Sequence, residues 1–363
     1  MDALASRTYA GSKWGGKYLR APDIFFTILE KGKDKLVRLG DIAEVRFGIK
    51  TGANEFFYLE PVEMTVKEVA ELRERDPMTP VRVRNSADWE GEIEAAWLRP
   101  VIKSPQEIKT LQVRLEDLRY LIFTPPEDVR KAIVKGQQSP LSRYPKAAAY
   151  IRWGDVKGYP ENRTCASRSP WWMLPIVSGN TLWAKELRDR LGVFVANDHF
   201  LVDCRLYVSK LDLLEQSYLN STANLLNDEA NARQYGGGGG PRSVMVYEVN
   251  NLLNLTISVL NPSQRDCLLK AFERLASREV RSIFEELGFA LCRERRCSHP
   301  EHPYEHVRPE ALTLEQVQRA SPDRFELDRV VFDVLGLTDG ERLEVYRAVA
   351  QLVKDRLVKA RSV

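Results

Sequence analysis

The chain has 363 residues, a hydrophobic share of 44% and a net charge of only +3. This is long enough for roughly two or three packed units, and the composition excludes a disordered or collagen-like chain. No apolar run reaches the roughly 18 residues that cross a bilayer, residues 1–16 lack the apolar core of a signal peptide, and the five cysteines are scattered and odd in number, so a cytoplasmic protein with no membrane partner and no disulfide framework is expected.

Residues 1–20 show no period and read as an arm, followed by a short helix over 22–29 with Pro22 at its start. Lys31 and Lys35 bound a turn. Next, Leu39-Gly40-Asp41-Ile42 reads as a strand end, a turn, and an Asp able to cap a helical turn. Val45, Phe47 and Ile49 recur at strand spacing, and Phe56-Phe57-Tyr58-Leu59 reads as an apolar strand. Val66, Val69 and Leu72 predict a helix over 64–76, and strands are expected over 81–83, 95–101 and 120–123. A strand pair is expected at 193–195 and 200–202, with a turn at 196–198, and another strand over 244–247 after the glycine run 236–240. His199 reads as a satisfied strand-edge histidine. Beyond Asn261-Pro262 the period becomes helical: Leu268, Phe272 and Leu275, then Val280, Ile283, Phe284 and Leu287, with Gly288 as a stop. Thr338 and Glu341 form a capping box, opening a helix with Tyr346, Val349, Val353 and Leu357 on one face and a cationic last turn that suits the helix dipole. The expected class is α+β: an arm and short helix over 1–35, a mixed and mainly short-stranded domain over 36–260, and a helical region over 261–363.

Two segments carry candidate chemistry. Between Phe47 and Phe56, Gly48 and Gly52 bracket Lys50 and Thr51, with Asn54 close behind. Glycines let backbone approach a ligand and Lys with Thr suits phosphate, so one reading is a clamp on a nucleic-acid backbone and the other a hairpin turn. It is not a nucleotide P-loop, because no Gly-Lys-Ser/Thr follows at the required spacing. Residues 130–170 hold nine Lys/Arg against Asp155 and Glu161, a local balance of +7. Arg143, Arg152, Trp153, Lys157, Arg163 and Arg168 there interleave cations with rings, as does Trp171-Trp172. Cations reach phosphates or a guanine edge while rings stack on a base, unless the rings are core and the cations a solvated face. Arg46 and Arg242 are further cationic candidates.

Cys292, Cys297, His299, His302 and His306 cluster in sequence and include three of the four histidines. Two thiolates and two imidazoles suit tetrahedral zinc, but the spacing matches no common knuckle, and a surface loop with incidental thiols is the alternative. No serine-hydrolase elbow or zinc-protease motif occurs, and Glu107-Ile-Lys109 lacks the upstream acid of a restriction-nuclease site.

The stretch LGDIAEVRFGIKTGANEFFYL, residues 39–59, resembles the opening of the target-recognition region of bacterial N6-adenine DNA methyltransferases from restriction-modification systems. Specificity subunits begin their recognition domains with a similar run. Lys13 to Pro22, Trp97-Leu98-Arg99-Pro100, Leu226 to Tyr247 and Leu335-Gly336-Leu337-Thr338 extend the resemblance over nearly the whole chain. It implies double-stranded DNA as a partner, with Arg46, Lys50, Thr51, Asn54, the basic segment and Arg242 contacting it. The cofactor loop and catalytic tetrapeptide of such enzymes are missing; the nearest match, Thr124-Pro125-Pro126-Glu127, differs at both ends. The resemblance therefore implies no cofactor on this chain, with S-adenosylmethionine on a methyltransferase catalytic domain or subunit. An autonomous metal-dependent enzyme acting on nucleic acid and a protein-interaction scaffold are the alternatives.

Overall fold

In the computed structural model, the described residues are 20–137, 140–196, 200–234 and 240–359. The arm over 1–19, His199 and most of the glycine run lie outside them.

Helix α1 (Asp23–Lys31) opens after Pro22, with Asp23 at its positive end and Lys31 at its negative end, and buries Ile24, Phe25, Ile28 and Leu29. Strand β1 (Leu36–Arg38) runs into α2 (Leu39–Ile42). Here the cap expected at Asp41 is corrected: Arg38 occupies the N-cap position, no side chain caps the turn, and Asp41 lies exposed within it. The turn starts early because buried Leu39 is anchored by its N–H to the Leu252 carbonyl at 2.8 Å.

After β2 (Arg46–Phe47) comes α3 (Asn54–Phe57), then β3 (Tyr58–Pro61). The strand expected over 56–59 is thus split. A strand would send Phe56 and Phe57 to opposite faces, whereas a helical turn lets both enter one core. Helix α4 (Val66–Arg75) has a reciprocal Thr65–Glu68 capping box and the predicted buried stripe of Val66, Val69 and Leu72. The next strands are β4 (Pro80–Arg84), β5 (Glu90–Glu94), β6 (Leu98–Ile102) and β7 (Tyr120–Phe123). A single 3₁₀ turn over Ala95–Trp97 delays β6 relative to expectation. Helices α5 (Glu127–Val134), α6 (Pro145–Val156) and α7 (Arg163–Ala166) carry the basic segment.

Five short strands follow: β8 (Thr181–Ala184), β9 (Glu186–Leu187), β10 (Phe194–Val195), β11 (Leu201–Val202) and β12 (Leu206–Ser209). Then come α8 (Leu213–Leu219), α9 (Thr222–Asn231), β13 (Arg233–Gln234), β14 (Arg242–Ser243), α10 (Val246–Asn250) and β15 (Leu253–Leu255). The strand expected over 244–247 is instead a helix start, where the Glu248 carboxylate accepts from the Met245 N–H at 2.8 Å. Every described element beyond β15 is helical: after single 3₁₀ turns, α11 (Pro262–Ser277), α12 (Ile283–Glu286), α13 (Leu314–Ala320), α14 (Pro322–Leu335) and α15 (Asp339–Lys359). The α+β class is as expected, and among the described residues no helix is long and apolar enough to cross a membrane.

The strands form sheets in the orders β11-β6-β7-β3-β4-β5, β10-β8-β12-β2, β13-β14-β9 and β1-β15. So β10 and β11 are not a hairpin: β10 pairs with β8, and β11 lies parallel to β6 in another sheet. One apolar cluster extends from Ile24 to Leu357, and a smaller one holds Leu39, Val45, Trp183, Tyr207 and Val249 beneath the start of the glycine-bracketed stretch. Near the end of α15, Lys354 and, in its last turn, Arg356 do not face solvent. Lys354 donates to the Val307 carbonyl at 3.0 Å, and Arg356 to the Glu229 carboxylate and the Arg188 carbonyl at 3.0 and 2.6 Å.

Candidate nucleic-acid interface

Strand β2 is the edge of its sheet, paired to β12 through Phe47↔Tyr207 and Arg46↔Val208. The chain then crosses to the other large sheet. The Gly48 N–H donates to Leu206 O at 3.1 Å, the Ile49 N–H to Val202 O at 2.6 Å, and the Cys204 N–H to Ile49 O at 3.1 Å. A Cβ on Gly48 would stand 2.2 Å from the Asp203 carbonyl oxygen, so only glycine fits this crossing. The Asp203 carboxylate accepts from the Tyr58 hydroxyl and from the Arg205 N–H, and burial together with Asp203 raises the Tyr58 pKa.

Beyond the crossing the loop alternates. Ile49, Thr51 and Ala53 are buried while Lys50, Gly52 and Asn54 face out. Thr51, 2% exposed, donates its hydroxyl to Asn54 Oδ1 at 2.5 Å, so its expected base contact is corrected: its side chain belongs to the loop's interior. Gly52 has φ +83°, and a Cβ there would meet the Thr164 side chain at 2.6 Å. Both glycines are required by the chain's own close approaches.

The basic segment grips this loop. Arg168 donates Nη1 to Thr51 O at 2.8 Å and Nη2 to Lys50 O at 2.5 Å, and Asn162 donates Nδ2 to Gly52 O at 3.1 Å. Arg168 is therefore corrected from a phosphate contact to the residue that positions the loop. Arg168→Ala should cost about 1.5–3 kcal/mol, the range for a charged hydrogen bond, and speed hydrogen exchange of the 49–53 amides, with Arg168→Lys recovering only part because one ammonium replaces a fork. Unaltered exchange in the Ala variant would deny Arg168 that role.

Many of the segment's rings stack on one another. Phe56 lies on Tyr150 at 4.5 Å and 9° and against Trp171 at 4.7 Å, and Tyr150 donates its hydroxyl to Phe56 O at 2.6 Å. Trp172 is buried, while Trp153 and Trp171 are half-buried. The core alternative thus accounts for most of the aromatic signal. The cations divide differently. Lys50, Arg152, Lys157 and Arg163 are exposed and form no ion pair among the described residues, with Lys157 Nζ 5.9 Å from the Trp153 ring. Arg46 and Arg143 are exposed but paired, to Glu44 at 2.5 Å and Asp128 at 3.2 Å, contacts weak enough to exchange for a phosphate. Arg242 is a further correction: it is 3% exposed and lies 2.5 Å from Asp228 and 3.4 Å from Glu229, a core ion pair unavailable to DNA. Its partners on α9 are not recognisable as partners from sequence.

Elsewhere, one donor atom each from Cys292, Cys297, His302 and Glu305 lie within 4.8 Å of one another, a set that could hold a metal. His299 and His306 stay outside it, and Glu305, missed in the sequence, joins it three residues after His302. Clefts of 910 and 630 Å³ lie beside α1 and α15 and beside α4, and neither lining contains Ser, Cys or His.

Neither a protein-family model nor a curated protein sequence matches the chain. Its structural neighbours include restriction-modification enzymes. The type IIG restriction endonuclease BpuSI is similar at a TM-score of 0.47 and 14% identity, over 94% of this chain and 34% of that one. The type IIL restriction-modification enzyme MmeI, solved in complex with DNA, is similar at a TM-score of 0.41 and 13% identity, over 85% of this chain and 36% of that one. The chain spans about a third of the length of each.

Proposed function

We propose that this chain is a DNA target-recognition region serving an adenine-N6 DNA methyltransferase of a restriction-modification or related phage-defence system, with S-adenosylmethionine and the catalytic groups on another domain or subunit. The observation that carries the DNA part of this reading is the union of two segments far apart in sequence. Arg168 and Asn162 fasten the 48–54 loop to the α6–α7 region, and the joined segments leave Lys50, Arg152, Lys157 and Arg163 exposed and, among the described residues, without carboxylate partners. Some exposed helix cations elsewhere pair locally, as Lys131 does with Glu127 and Lys270 with Asp266, while others, such as Arg75 and Arg319, form no ion pair among the described residues; what sets the four apart is that they lie on the two segments that Arg168 and Asn162 join. The methyltransferase part rests on the order of the sequence motifs.

In this reading the four cations meet phosphates and set register, which carries no sequence information. Asn54 is the loop's candidate for a base edge: its Oδ1 accepts from Thr51, and its amide N–H groups have no partner among the described residues. Replacing Lys50, Arg152, Lys157 or Arg163 singly by Ala should lower the slope of log affinity against log salt by about 0.9 per lost phosphate contact, on any duplex. Asn54→Ala should leave that slope alone and shrink the preference for a cognate over a scrambled duplex by about 1–3 kcal/mol, as for a bidentate base contact. Fluorescence anisotropy over a salt series measures the slopes, and competition binding with the catalytic partner present measures the preference. Four unchanged slopes would return these residues to a solvated face.

A further inference from the structure

We propose that Cys292, Cys297, His302 and Glu305 bind a structural zinc ion. The donors come from a segment between α12 and α13 whose regular structure, among the described residues, is one 3₁₀ turn over Pro309–Ala311. The Cys292 N–H donates to Pro303 O at 2.9 Å, which closes the segment on itself. Cys297 Sγ then lies 3.6 Å from Glu305 Oε1, and His302 Nδ1 lies 3.9 Å from Glu305 Oε2. Tetrahedral zinc, at about 2.0–2.3 Å from each donor, sets its donors roughly 3.3–3.8 Å apart. Spacings of up to 4.8 Å therefore need a contraction of about 1 Å around the ion.

A second observation points to a ligand rather than to accidental proximity. Glu305 is 7% exposed, yet its Oε2 has no hydrogen-bond donor, and His302 Nδ1 is likewise buried and unpartnered. A buried carboxylate normally finds a cation or several N–H donors, because desolvation without compensation is expensive. The nearby cations are engaged elsewhere: Lys354 and Arg308 lie 2.7 and 3.6 Å from Glu301. Apart from the thiols of Cys292 and Cys297, which belong to the same site, the groups that approach Glu305 among the described residues are His306 at 3.7 Å and His302 itself. A divalent ion satisfies the carboxylate and the imidazole together.

The donor types select the metal. Two thiolates with an imidazole and a carboxylate favour zinc over magnesium or calcium, which take all-oxygen sets. Binding releases one proton from each thiol, so that two thiolates, one carboxylate and a neutral imidazole surround Zn²⁺ with a net charge of −1. Four protein donors leave no open position for a reacting water, so the role is structural. Arg293, Arg295 and Arg296, between the two cysteines, are exposed, and the tip they form contributes no side chain to the core. The ion replaces the missing core and fixes this arginine-bearing tip.

The test uses the full chain under reducing conditions, stripped with chelator and then titrated with zinc alone. One equivalent of zinc should bind. Cobalt in its place should give the intense thiolate charge-transfer band and the visible absorption of a tetrahedral site. Cys292→Ser, Cys297→Ser and Glu305→Gln should each weaken zinc at least about 10–100-fold, since even outer-shell losses reach that range, whereas His299→Ala and His306→Ala should not. Tryptic cleavage at Arg293, Arg295 and Arg296 should slow on zinc addition. Should a ligand variant fail to fold, the cobalt spectrum of the unaltered chain decides. No uptake by the stripped chain, a cobalt spectrum without thiolate bands, or zinc binding undiminished in a Cys292→Ser/Cys297→Ser double variant would overturn the assignment.

Discussion

Glu286→Ala is expected to destabilise the fold by about 3–5 kcal/mol, the range for breaking a buried ion pair from one side. Glu286 is 2% exposed and sits on α12, where both its oxygens accept from Arg278 at 2.7 Å and one accepts from Arg324 at 3.0 Å and Ser321 at 3.2 Å. The variant would leave the Arg324 guanidinium, 3% exposed, with the Asn220 carbonyl at 3.1 Å as its one hydrogen-bond acceptor among the described residues. Because Arg278 follows α11 and Arg324 belongs to α14, the one carboxylate joins three parts of the helical region. Urea midpoints of Glu286→Ala, Arg324→Met and the double variant measure the coupling. If Arg324→Met recovers none of the loss in the double variant, the damage does not come from a stranded guanidinium.

The same cluster sets an acid limit. Burial alone would raise the Glu286 pKa, but Arg324, Arg278 and Arg281 outweigh it and hold the carboxyl down at about 2, against an ordinary 4.5. A folded pKa below the unfolded one means stability that is complete above about pH 4.5 and lost as pH falls toward 2. Glu286→Ala should therefore flatten the stability profile in that window.

Local signals were legible in the sequence, and long-range ones were not. The stripe of Val66, Val69 and Leu72, opened by the Thr65–Glu68 box, places α4, and Thr338 with Glu341 places α15, because cap and stripe lie within a turn or two of each other. The pairing of β10 and β11 is not legible locally, since their partners, Leu182 and Val101, lie far from any hairpin register. At the site, Ile49, Thr51 and Ala53 already carried a two-residue spacing that would have placed Thr51 inside. The two glycines answer to requirements within the chain, a close approach to the Asp203 backbone at Gly48 and a left-handed φ at Gly52. Arg168 and Arg242 could not be told from Arg163 by composition. What separates them is whether carbonyls or carboxylates from distant segments meet the guanidinium.

Gly48→Val should then be the most damaging substitution in the loop, and its effect should be on the fold before it is on DNA. The added Cβ would lie 2.2 Å from the Asp203 carbonyl oxygen and 2.5 Å from that of Val202, and both are backbone atoms that cannot swing aside. Relief requires parting Ile49 from β11, which breaks the 2.6 Å and 3.1 Å bonds that stitch the two large sheets together at Val202 and Cys204. Two buried backbone bonds at about 1–3 kcal/mol each, with overpacking of about 1–3 kcal/mol, place the loss at about 4 kcal/mol or more. Gly52→Ala should cost less, because it parts no backbone bond between the sheets: its left-handed φ carries about 1–2 kcal/mol of strain, and the added Cβ would stand 2.6 Å from the Thr164 Cβ, which no side-chain rotation moves, so the short helix α7 must shift slightly to admit it. Urea unfolding and exchange of the 49–51 amides check both. A Gly48→Val chain with an unshifted midpoint would mean that the sheets do not meet at this crossing. The contrast with Lys50 separates the loop's two duties. Lys50→Ala removes an outward side chain with no partner among the described residues, so it should keep the midpoint and lower only the salt slope, whereas affinity lost in Gly48→Val follows from a loop that no longer holds Lys50 and Asn54 in place.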